Sequence, residues 1–467
     1  MTVVASEPPA RDPEKLRPPA PPGRRWGRLP AVFETALIVA GLAAFVFVLR
    51  HSALGDAVLR YDTLRQLLDD GTLTDNRYTI VGHLFAVPLL LAARLLGQDQ
   101  QQWATMYNSL LFAVAIGVLY LLLRRRLPAA LLRRFFLVLI AASMFAAHVV
   151  QFNAEPFTAL AVAVGLVAIA VRGRSLAGWA AVALGVANTA ATLVPLAFVV
   201  ARRMWEDRRL RYALAGVAAV AVLVADNWVR RGSPLETGYS GTSGYRTVMP
   251  YSGRLDFSYP IFFGLLSVCL SFGKGLLFFT PGLMLPVRAS MRRLPLRDGT
   301  TLYRLYGWWL LFTVGLVVVY APWWSWYGGL TWGPRFMLFV SVPASLALAV
   351  RLWEPAEALW SRALTLAVLT LSAWVGLCAA VFAAETPPAC VVDHFANEAL
   401  CHYTPEFSAL WYPFVADLPV TRRDIVMIIY CGLVYCYLAA PLVRSLGADV
   451  ARRSRRPLAE GLRGWRW

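Results

Sequence analysis

Acidic side chains lie just beyond the first apolar run of the sequence, where a carboxylate could take up a proton. Asp56 follows this run by a few residues and belongs to the polar stretch 51–78. A carboxylate at the depth where protein meets water and lipid headgroups suits a general base. Asp69 and Asp70 fit an amphipathic surface helix, in which acids and arginines pair at i, i+3 and i+4. Because Asp56 precedes that helical pattern, we predict that it is catalytic.

Glu155 is a second acid of interest, because it opens a later apolar run after the turn 151–154. A carboxylate at a helix start can simply cap the helix or stabilise the positive end of its dipole. It can equally serve the same reaction as Asp56, and the residues alone leave both interpretations open. Both carboxylates are therefore catalytic candidates.

The segment 322–336 combines four tryptophans, a tyrosine and three glycines with an arginine. One or two interfacial tryptophans would simply anchor the protein in the membrane. The aromatic residues of this segment are too many for a membrane anchor alone. Aromatic faces can stack on sugar rings, glycines allow close backbone approach and an arginine at a helix start can hold a phosphate, so the segment is predicted to bind substrate. The predicted substrate-binding residues of the segment are Trp324, Trp326, Tyr327, Trp332 and Arg335.

Lys274 interrupts an apolar stretch, between Ser271 and Gly275. A charged group at that depth is costly, so we predict that it faces a polar cavity and binds a partner such as phosphate. The alternative is a structural bond to a backbone carbonyl of a broken helix.

Motifs for nucleotides and metal ions are missing from the sequence. It has no Walker loop, no G-x-G-x-x-G after a strand and no H-x-x-x-H pair. The histidines are scattered, at His51, His83, His148, His394 and His402. The sequence therefore predicts no metal ion and no bound cofactor, and any energy source would arrive with the substrate.

The elements that position these residues must be membrane helices. Of the 467 residues, 58% are hydrophobic and 15% are charged, against roughly 25% charged in an ordinary soluble domain. Apolar runs of about 20 residues recur along the chain, each long enough to cross a bilayer. The net charge of +18 comes from arginines clustered between these runs, a pattern that indicates membrane topology and not nucleic-acid binding.

The positive-inside rule makes the arginine clusters cytoplasmic and predicts about twelve spans (eleven to thirteen), with both termini cytoplasmic. It also predicts that the run 80–96 is an interfacial helix of a long first exterior loop and that 175–201 is a hairpin of two short helices. The other predicted spans are 31–49, 103–123, 135–150, 155–171, 211–228, 261–287, 303–321, 335–351, 363–383 and 424–443. The predicted regions are a basic, Pro-rich cytoplasmic tail (1–30), a catalytic membrane domain (31–444) and a basic cytoplasmic tail (445–467).

Two of the six cysteines lie in the last predicted exterior loop, where Cys390 and Cys401 flank a ten-residue polar segment. On an oxidising exterior face these two could form a disulfide, and two free thiols are the alternative. The other four cysteines lie within predicted spans.

The order of these parts resembles the GT-C superfamily of membrane glycosyltransferases, nearest the branch of protein O-mannosyltransferases and the lipid A aminoarabinose transferase. In that branch a catalytic acid after the first span is followed by an Arg-Tyr pair, which Asp56, Arg60 and Tyr61 resemble. The run 80–96 is similar to the family's membrane-hugging helix, and Glu155 stands where another acid begins the fourth span. The segments 273–281 and 326–335 resemble bacterial members. Two departures are Gly55-Asp56 in place of two adjacent acids, and Glu155 in place of the commoner Asp.

The resemblance covers about 31–443 and implies an all-α GT-C-like bundle in the cell membrane with an active site facing the exterior. It implies transfer of a sugar from a polyprenyl-phosphate donor to a hydroxyl of a glycan, lipid or protein acceptor, in one inverting displacement with Asp56 as base. The Ala- and Arg-rich composition is typical of a high-GC bacterium, which makes mannose or arabinofuranose the expected sugars. Arg60, Tyr61, Lys274 and Arg335 would contact substrate.

A lipid or sugar transporter, or flippase, is the main alternative function, since it could use the same spans and Lys274 without a catalytic acid. Against it, the hydropathy shows no two-half repeat, and the acids gather on one side of the membrane. A scaffolding role in the cell envelope is a third possibility.

Overall fold

The computed structural model describes residues 28–239, 246–249 and 251–463, and nearly all regular structure in them is helical. The α-helices are α1 Arg28–Phe47, α2 Asp56–Asp70, α3 Val87–Leu95, α4 Gln100–Leu123, α5 Ala129–Ala141, α6 Phe145–His148, α7 Ala154–Arg172, α8 Leu176–Ala187, α9 Leu193–Asp207, α10 Ala213–Arg231, α11 Ile261–Leu270, α12 Leu276–Phe279, α13 Arg288–Arg292, α14 Leu302–Tyr320, α15 Ser341–Trp353, α16 Leu359–Val381, α17 Val392–Phe395, α18 Glu398–Tyr403 and α19 Arg422–Arg463.

Short 3₁₀ helices and one small hairpin complete the regular structure. The 3₁₀ helices are His83–Ala86, Ala190–Thr192, Leu210–Tyr212, Pro281–Met284, Arg335–Val340, Pro388–Cys390, Pro405–Phe407 and Tyr412–Phe414. The hairpin pairs β1 Pro295–Arg297 antiparallel with β2 Thr300–Thr301.

Eight described helical segments are long and apolar enough to cross a membrane. They are Leu29–Phe47, Gln100–Leu123, Ala154–Arg172, Leu210–Arg231, Leu302–Tyr320, Arg335–Trp353, Leu359–Val381 and Arg422–Arg452. Each spans roughly 28 Å or more at 1.5 Å per residue, which matches a hydrocarbon layer of about 30 Å. The prediction of a polytopic, all-helical membrane protein is confirmed.

The remaining predicted spans are interrupted helices, which is why they fall short of that length. In 175–201 the predicted hairpin is present, because a non-helical turn at Asn188–Thr189 separates α8 from α9. In 135–150, α5 ends at Ala141 and α6 begins only at Phe145. In 261–287 the extended residues Ser271 and Gly275 separate α11 from α12.

The segment predicted to be an interfacial helix is too short to span. Its 3₁₀ turn and α3 run together from His83 to Leu95, about 20 Å at 1.5 Å per residue. It exposes Leu84, Phe85 and Leu95. An apolar face on a helix of this length favours a position along the membrane surface.

The centre of the bundle is formed by α7 and the segment Arg335–Trp353, the most deeply buried of the eight spans. Small residues bring α7 close to α8: a methyl group on Gly165 would lie 2.6 Å from the carbonyl oxygen of Gly178. Such close approach is the usual basis of helix packing in membranes, where dispersion contacts replace the hydrophobic effect. One of these two central segments therefore continues directly from the aromatic segment 322–336.

The predicted tails, 1–30 and 445–467, are only partly covered by the described residues. Most of the predicted N-terminal tail, residues 1–27, lies outside the described residues. Helix α19 continues without interruption through residue 445, the predicted start of the C-terminal tail. At the opposite end of α19, the Arg50 Nη2 atom donates to Asp424 Oδ2 at 2.7 Å, so the residues after α1 and the start of α19 lie on the same side of the bundle.

Candidate active site

Asp56 is the first residue of α2 and enters the helix from Gly55, whose positive φ of 52° suits glycine. The Tyr78 hydroxyl donates to its Oδ1 atom at 2.6 Å. The Arg335 Nη2 atom lies 2.9 Å from Oδ2, and Arg60 Nη1 lies 4.0 Å from the same oxygen. The side chain remains 22% exposed, so its carboxylate is fixed by protein groups and still reachable.

The charges around Asp56 keep it ionised. Burial alone would raise the pKa of this carboxyl, but the guanidinium groups of Arg335 and Arg60 and the hydrogen bond from Tyr78 outweigh burial and hold the pKa below its usual range. Burial, with the nearby Asp56 charge, raises the pKa of Tyr78 to about 12. Tyr78 therefore keeps its proton at neutral pH and donates it to a carboxylate.

Glu155 meets the same arginine from the other side. It lies in the first turn of α7, and Arg335 Nε lies 3.5 Å from its Oε1 atom. Arg335 thus bridges two carboxylates that are 99 residues apart in the chain. The structure brings together the two predicted acids and the predicted arginine.

Two further arginines surround Tyr78. The Arg60 guanidinium lies 4.2 Å from the centre of the Tyr78 ring, and Arg77 donates to the Tyr78 hydroxyl from Nε at 3.0 Å and from Nη2 at 2.9 Å. Arg335, Arg60 and Arg77 thus share one cluster with the carboxylates of Asp56 and Glu155, which leaves one positive charge in excess. Arg60 is 8% exposed, and its Nε and Nη1 atoms have no hydrogen-bond partner in the described part of the chain. The site can accept an anion.

A cavity of about 290 Å³ opens beside Glu155 and Arg335. Apart from a few threonines, its walls are apolar and aromatic, with Phe312, Leu316 and Phe336 among them. It extends between α7, α14 and the 3₁₀ helix Arg335–Val340. Two charged residues beside mostly apolar walls suit a ligand with a charged head and a hydrocarbon body.

Lys274, for which phosphate and backbone carbonyls were the two expected partners, is bonded to backbone carbonyls. Its ammonium group donates to the carbonyl oxygens of Gly329 at 3.0 Å and Gly333 at 2.9 Å, and also to that of Thr331. All three protons are engaged by the irregular segment that precedes Arg335. This geometry matches the structural alternative of the sequence analysis, a bond to backbone carbonyls.

The aromatic segment 322–336 is divided between two places. Its end, at Arg335 and Phe336, lines the cavity beside Glu155, whereas Trp324, Trp326 and Tyr327 line a second cavity with residues of α18. Trp332 is 7% exposed and packs edge-on against Phe279, with ring centroids 5.3 Å apart. These four predicted aromatic residues are therefore not gathered around Asp56.

Tyr61 also lies apart from the carboxylates. It is 6% exposed and packs in an apolar cluster with Leu64 and Leu90, between α2 and α3. Sequence reasoning missed Arg77 and Tyr78, although both close the polar stretch in which Asp56 was found. An arginine next to a tyrosine was the only local signal.

Cys390 and Cys401 form a disulfide, as one of the two sequence interpretations proposed. It joins the 3₁₀ turn Pro388–Cys390 to α18. Cys269, Cys378, Cys431 and Cys436 are free. Residues 28–239, 246–249 and 251–463 contain no group of three or more His, Cys, Asp and Glu side chains placed to hold a metal ion.

Comparisons with known proteins bear on the fold. No family model matches the sequence, and no curated protein matches it. The structure of ArnT from Cupriavidus metallidurans in the apo state has a TM-score of 0.54 and 16% sequence identity, covering 90% of this chain and 74% of that one. The same protein bound to undecaprenyl phosphate has a TM-score of 0.53 and 18% identity, covering 91% of this chain and 78% of that one. The chain therefore has the fold of ArnT, and the predicted all-helical, polytopic membrane fold is confirmed.

Proposed function

We propose that this protein is a membrane glycosyltransferase that moves a sugar from a polyprenyl-phosphate donor to an acceptor hydroxyl. The observation that carries the proposal is the ionised Asp56 carboxylate, which lies between Arg335 and Arg60 beside a largely apolar cavity. The fold adds support, because one ArnT structure of the same fold is bound to undecaprenyl phosphate. Mannose or arabinofuranose remains the expected sugar.

The donor phosphate would bind between Arg60 and Arg335. Arg60 offers N–H groups without partners, and the excess positive charge of the cluster attracts an anion. The first isoprene units would enter the cavity beside Glu155, whose walls are mostly apolar. Lys274 would act as a positioning residue, because its bonds shape the segment that delivers Arg335.

Asp56 would act as the general base. The acceptor oxygen attacks the anomeric carbon, and the proton of the acceptor hydroxyl passes to the Asp56 carboxylate. At the same time the bond between the anomeric carbon and the phosphate oxygen breaks. The phosphate leaves with the bonding electrons, and Arg60 and Arg335 stabilise its growing charge. A single base and a single displacement give inversion at the anomeric carbon. Glu155 would hold Arg335 in place through its 3.5 Å contact.

The membrane orientation completes the proposal. We propose that the termini are cytoplasmic and that Asp56 faces the exterior, because the arginine clusters then satisfy the positive-inside rule. The donor would react from the outer leaflet.

Asp56→Asn tests the proposed base. We expect transfer from undecaprenyl-phosphate mannose or arabinofuranose to fall about 100- to 10,000-fold, with thermal stability nearly unchanged. The measurement is radiolabelled sugar transferred by purified protein in nanodiscs supplied with an extract of the native membrane. Asp62→Asn, on the same helix and without a place in the site, is the matched control and should retain activity.

Two results would contradict the proposal. Full transfer by a folded Asp56→Asn protein would remove Asp56 as base. Movement of the lipid across the bilayer by the wild-type protein, without cleavage of any sugar–phosphate bond, would favour the transporter alternative.

A further inference from the structure

The second cavity is lined by Trp324, Trp326 and Tyr327, in the first half of the aromatic segment 322–336. It is an open cavity of about 400 Å³, a volume that includes solvent space at its mouth, and it is walled by aromatic rings from three parts of the chain. These rings belong to Tyr251 and Tyr259, to Trp324, Trp326 and Tyr327, and to Tyr403. No step of the proposed reaction uses this cavity.

The cavity walls are rigidly held. The Tyr403 hydroxyl lies 2.7 Å from the Ser267 hydroxyl and 3.1 Å from that of Tyr259. Tyr327 packs on the His402 ring with centroids 4.5 Å apart. The disulfide between Cys390 and Cys401 fixes the residue that precedes His402. A site held by such contacts is already formed before a ligand arrives.

Several polar groups in the cavity have no partner within the described residues. His402 is 3% exposed, and neither of its ring nitrogens makes a hydrogen bond there. The Trp324 indole N–H is buried and also unpaired. Buried polar groups are nearly always hydrogen-bonded, so these unpaired groups point to a ligand or to ordered water. The carboxylate of Glu398, 6% exposed, lies 3.9 Å from His402 and adds an acceptor.

We propose that this cavity binds a sugar ring of the acceptor, which makes the acceptor a glycan and not a protein or a simple lipid. A pyranose or furanose ring presents C–H faces to aromatic rings and hydroxyl groups at its edge. Glu398 would accept hydrogen bonds from those hydroxyls and Trp324 would donate one, while His402, as a neutral imidazole, would donate from one ring nitrogen and accept at the other. The inference rests on the proposed function only in identifying the bound sugar as the acceptor.

A short chain of neighbouring residues connects the cavity with Asp56. Tyr327 lines the cavity, and the next residue, Gly328, lies against Arg335: a methyl group on Gly328 would be 2.9 Å from Arg335 Cγ. Arg335 in turn touches Asp56. A glycan with one ring in the cavity could place the hydroxyl of a neighbouring ring beside Asp56.

Saturation-transfer NMR on the full-length protein in nanodiscs tests the binding step. The probes are methyl α-D-mannopyranoside, methyl α-D-arabinofuranoside and methyl β-D-galactopyranoside, and maltoside detergents are avoided because their headgroups would compete. We expect ring-proton signals from at least one glycoside in the wild-type protein. Glu398→Gln and His402→Phe should weaken that binding about tenfold, whereas Glu406→Gln, an exposed residue of the same loop, should leave it unchanged.

The outcomes separate this inference from the proposed function. Binding requires no transfer, so an inactive Asp56→Asn protein should still bind the glycoside. In the transfer assay, Glu398→Gln should raise the KM for acceptor and leave the KM for donor unchanged. The inference is overturned if no glycoside gives a signal in the wild-type protein, or if folded Glu398→Gln and His402→Phe proteins bind as the wild type does.

Discussion

Replacing Arg335 by Gln tests whether this residue controls the charge of Asp56. The two groups lie 2.9 Å apart and the arginine side chain is 13% exposed. At an effective dielectric constant of about 20, Coulomb's law gives about 6 kcal/mol for such a pair, most of which desolvation opposes. The Coulomb figure is therefore not the expected effect on donor binding. Each charged hydrogen bond from Arg335 to the donor phosphate contributes about 1.5–3 kcal/mol, so its loss should weaken donor binding roughly ten- to a hundredfold.

The same substitution changes the pH dependence with a definite sign. Arg335 is the nearest cation that lowers the pKa of Asp56, so its removal raises that pKa. The protonated, inactive carboxylic acid then persists to higher pH, and the acid limb of kcat/KM moves upward. The assay is the transfer rate from undecaprenyl-phosphate mannose as a function of pH, in nanodiscs. Arg65→Gln, an exposed change on the same helix as Asp56, is the control.

An unmoved acid limb in Arg335→Gln, with donor binding also unchanged, would refute the reasoning. Asp56 would then owe its ionisation to other groups, and the phosphate site would have to be sought elsewhere. A loss of thermal stability without any change in KM or pH profile would assign Arg335 a purely structural role.

Two further predictions concern the support of the site and its orientation. Lys274→Met should raise the KM for both donor and acceptor and lower the midpoint of thermal unfolding, because three carbonyl groups lose their donor; a rise in the donor KM alone would instead indicate direct phosphate binding. Reporters fused after residue 129 should be cytoplasmic and those within 391–400 exterior, as read by fluorescence and alkaline phosphatase fusions, and an exterior position for residue 129 would contradict the proposed topology.

The candidate site could be predicted in part, because its charged members carry a local signal. Asp56 and Glu155 each stand at the start of a helix, and Arg335 ends an unusual aromatic segment, so type and position identified them. Their meeting point could not be read from the sequence, since it depends on α2, α7 and the 3₁₀ helix at Arg335 converging.

Tyr78 escaped prediction because tertiary contacts alone direct it towards Asp56. Arg230, at the end of α10, donates to the carbonyl oxygens of Thr74 at 3.0 Å and Asn76 at 2.8 Å. These bonds fix the path of the loop before Tyr78 across more than 150 residues of sequence. Lys274, in contrast, was identified from the sequence, because a charged side chain in an apolar stretch is energetically costly. The sequence did not show whether a phosphate or backbone carbonyls would accept its hydrogen bonds.

The bonds of Lys274 also bear on how the loop before Arg335 tolerates change. Residues 328–333 form neither helix nor strand, and Gly328, Gly329 and Gly333 adopt positive φ angles. One side chain supplies the N–H donors that a helix or strand would normally provide, and it does so at three alternate residues. The carbonyl oxygens of Gly329, Thr331 and Gly333 must therefore all lie within hydrogen-bond distance of the one Lys274 ammonium group. An inserted or deleted residue would break the match and displace Arg335, so the loop should keep its length even where its side chains vary.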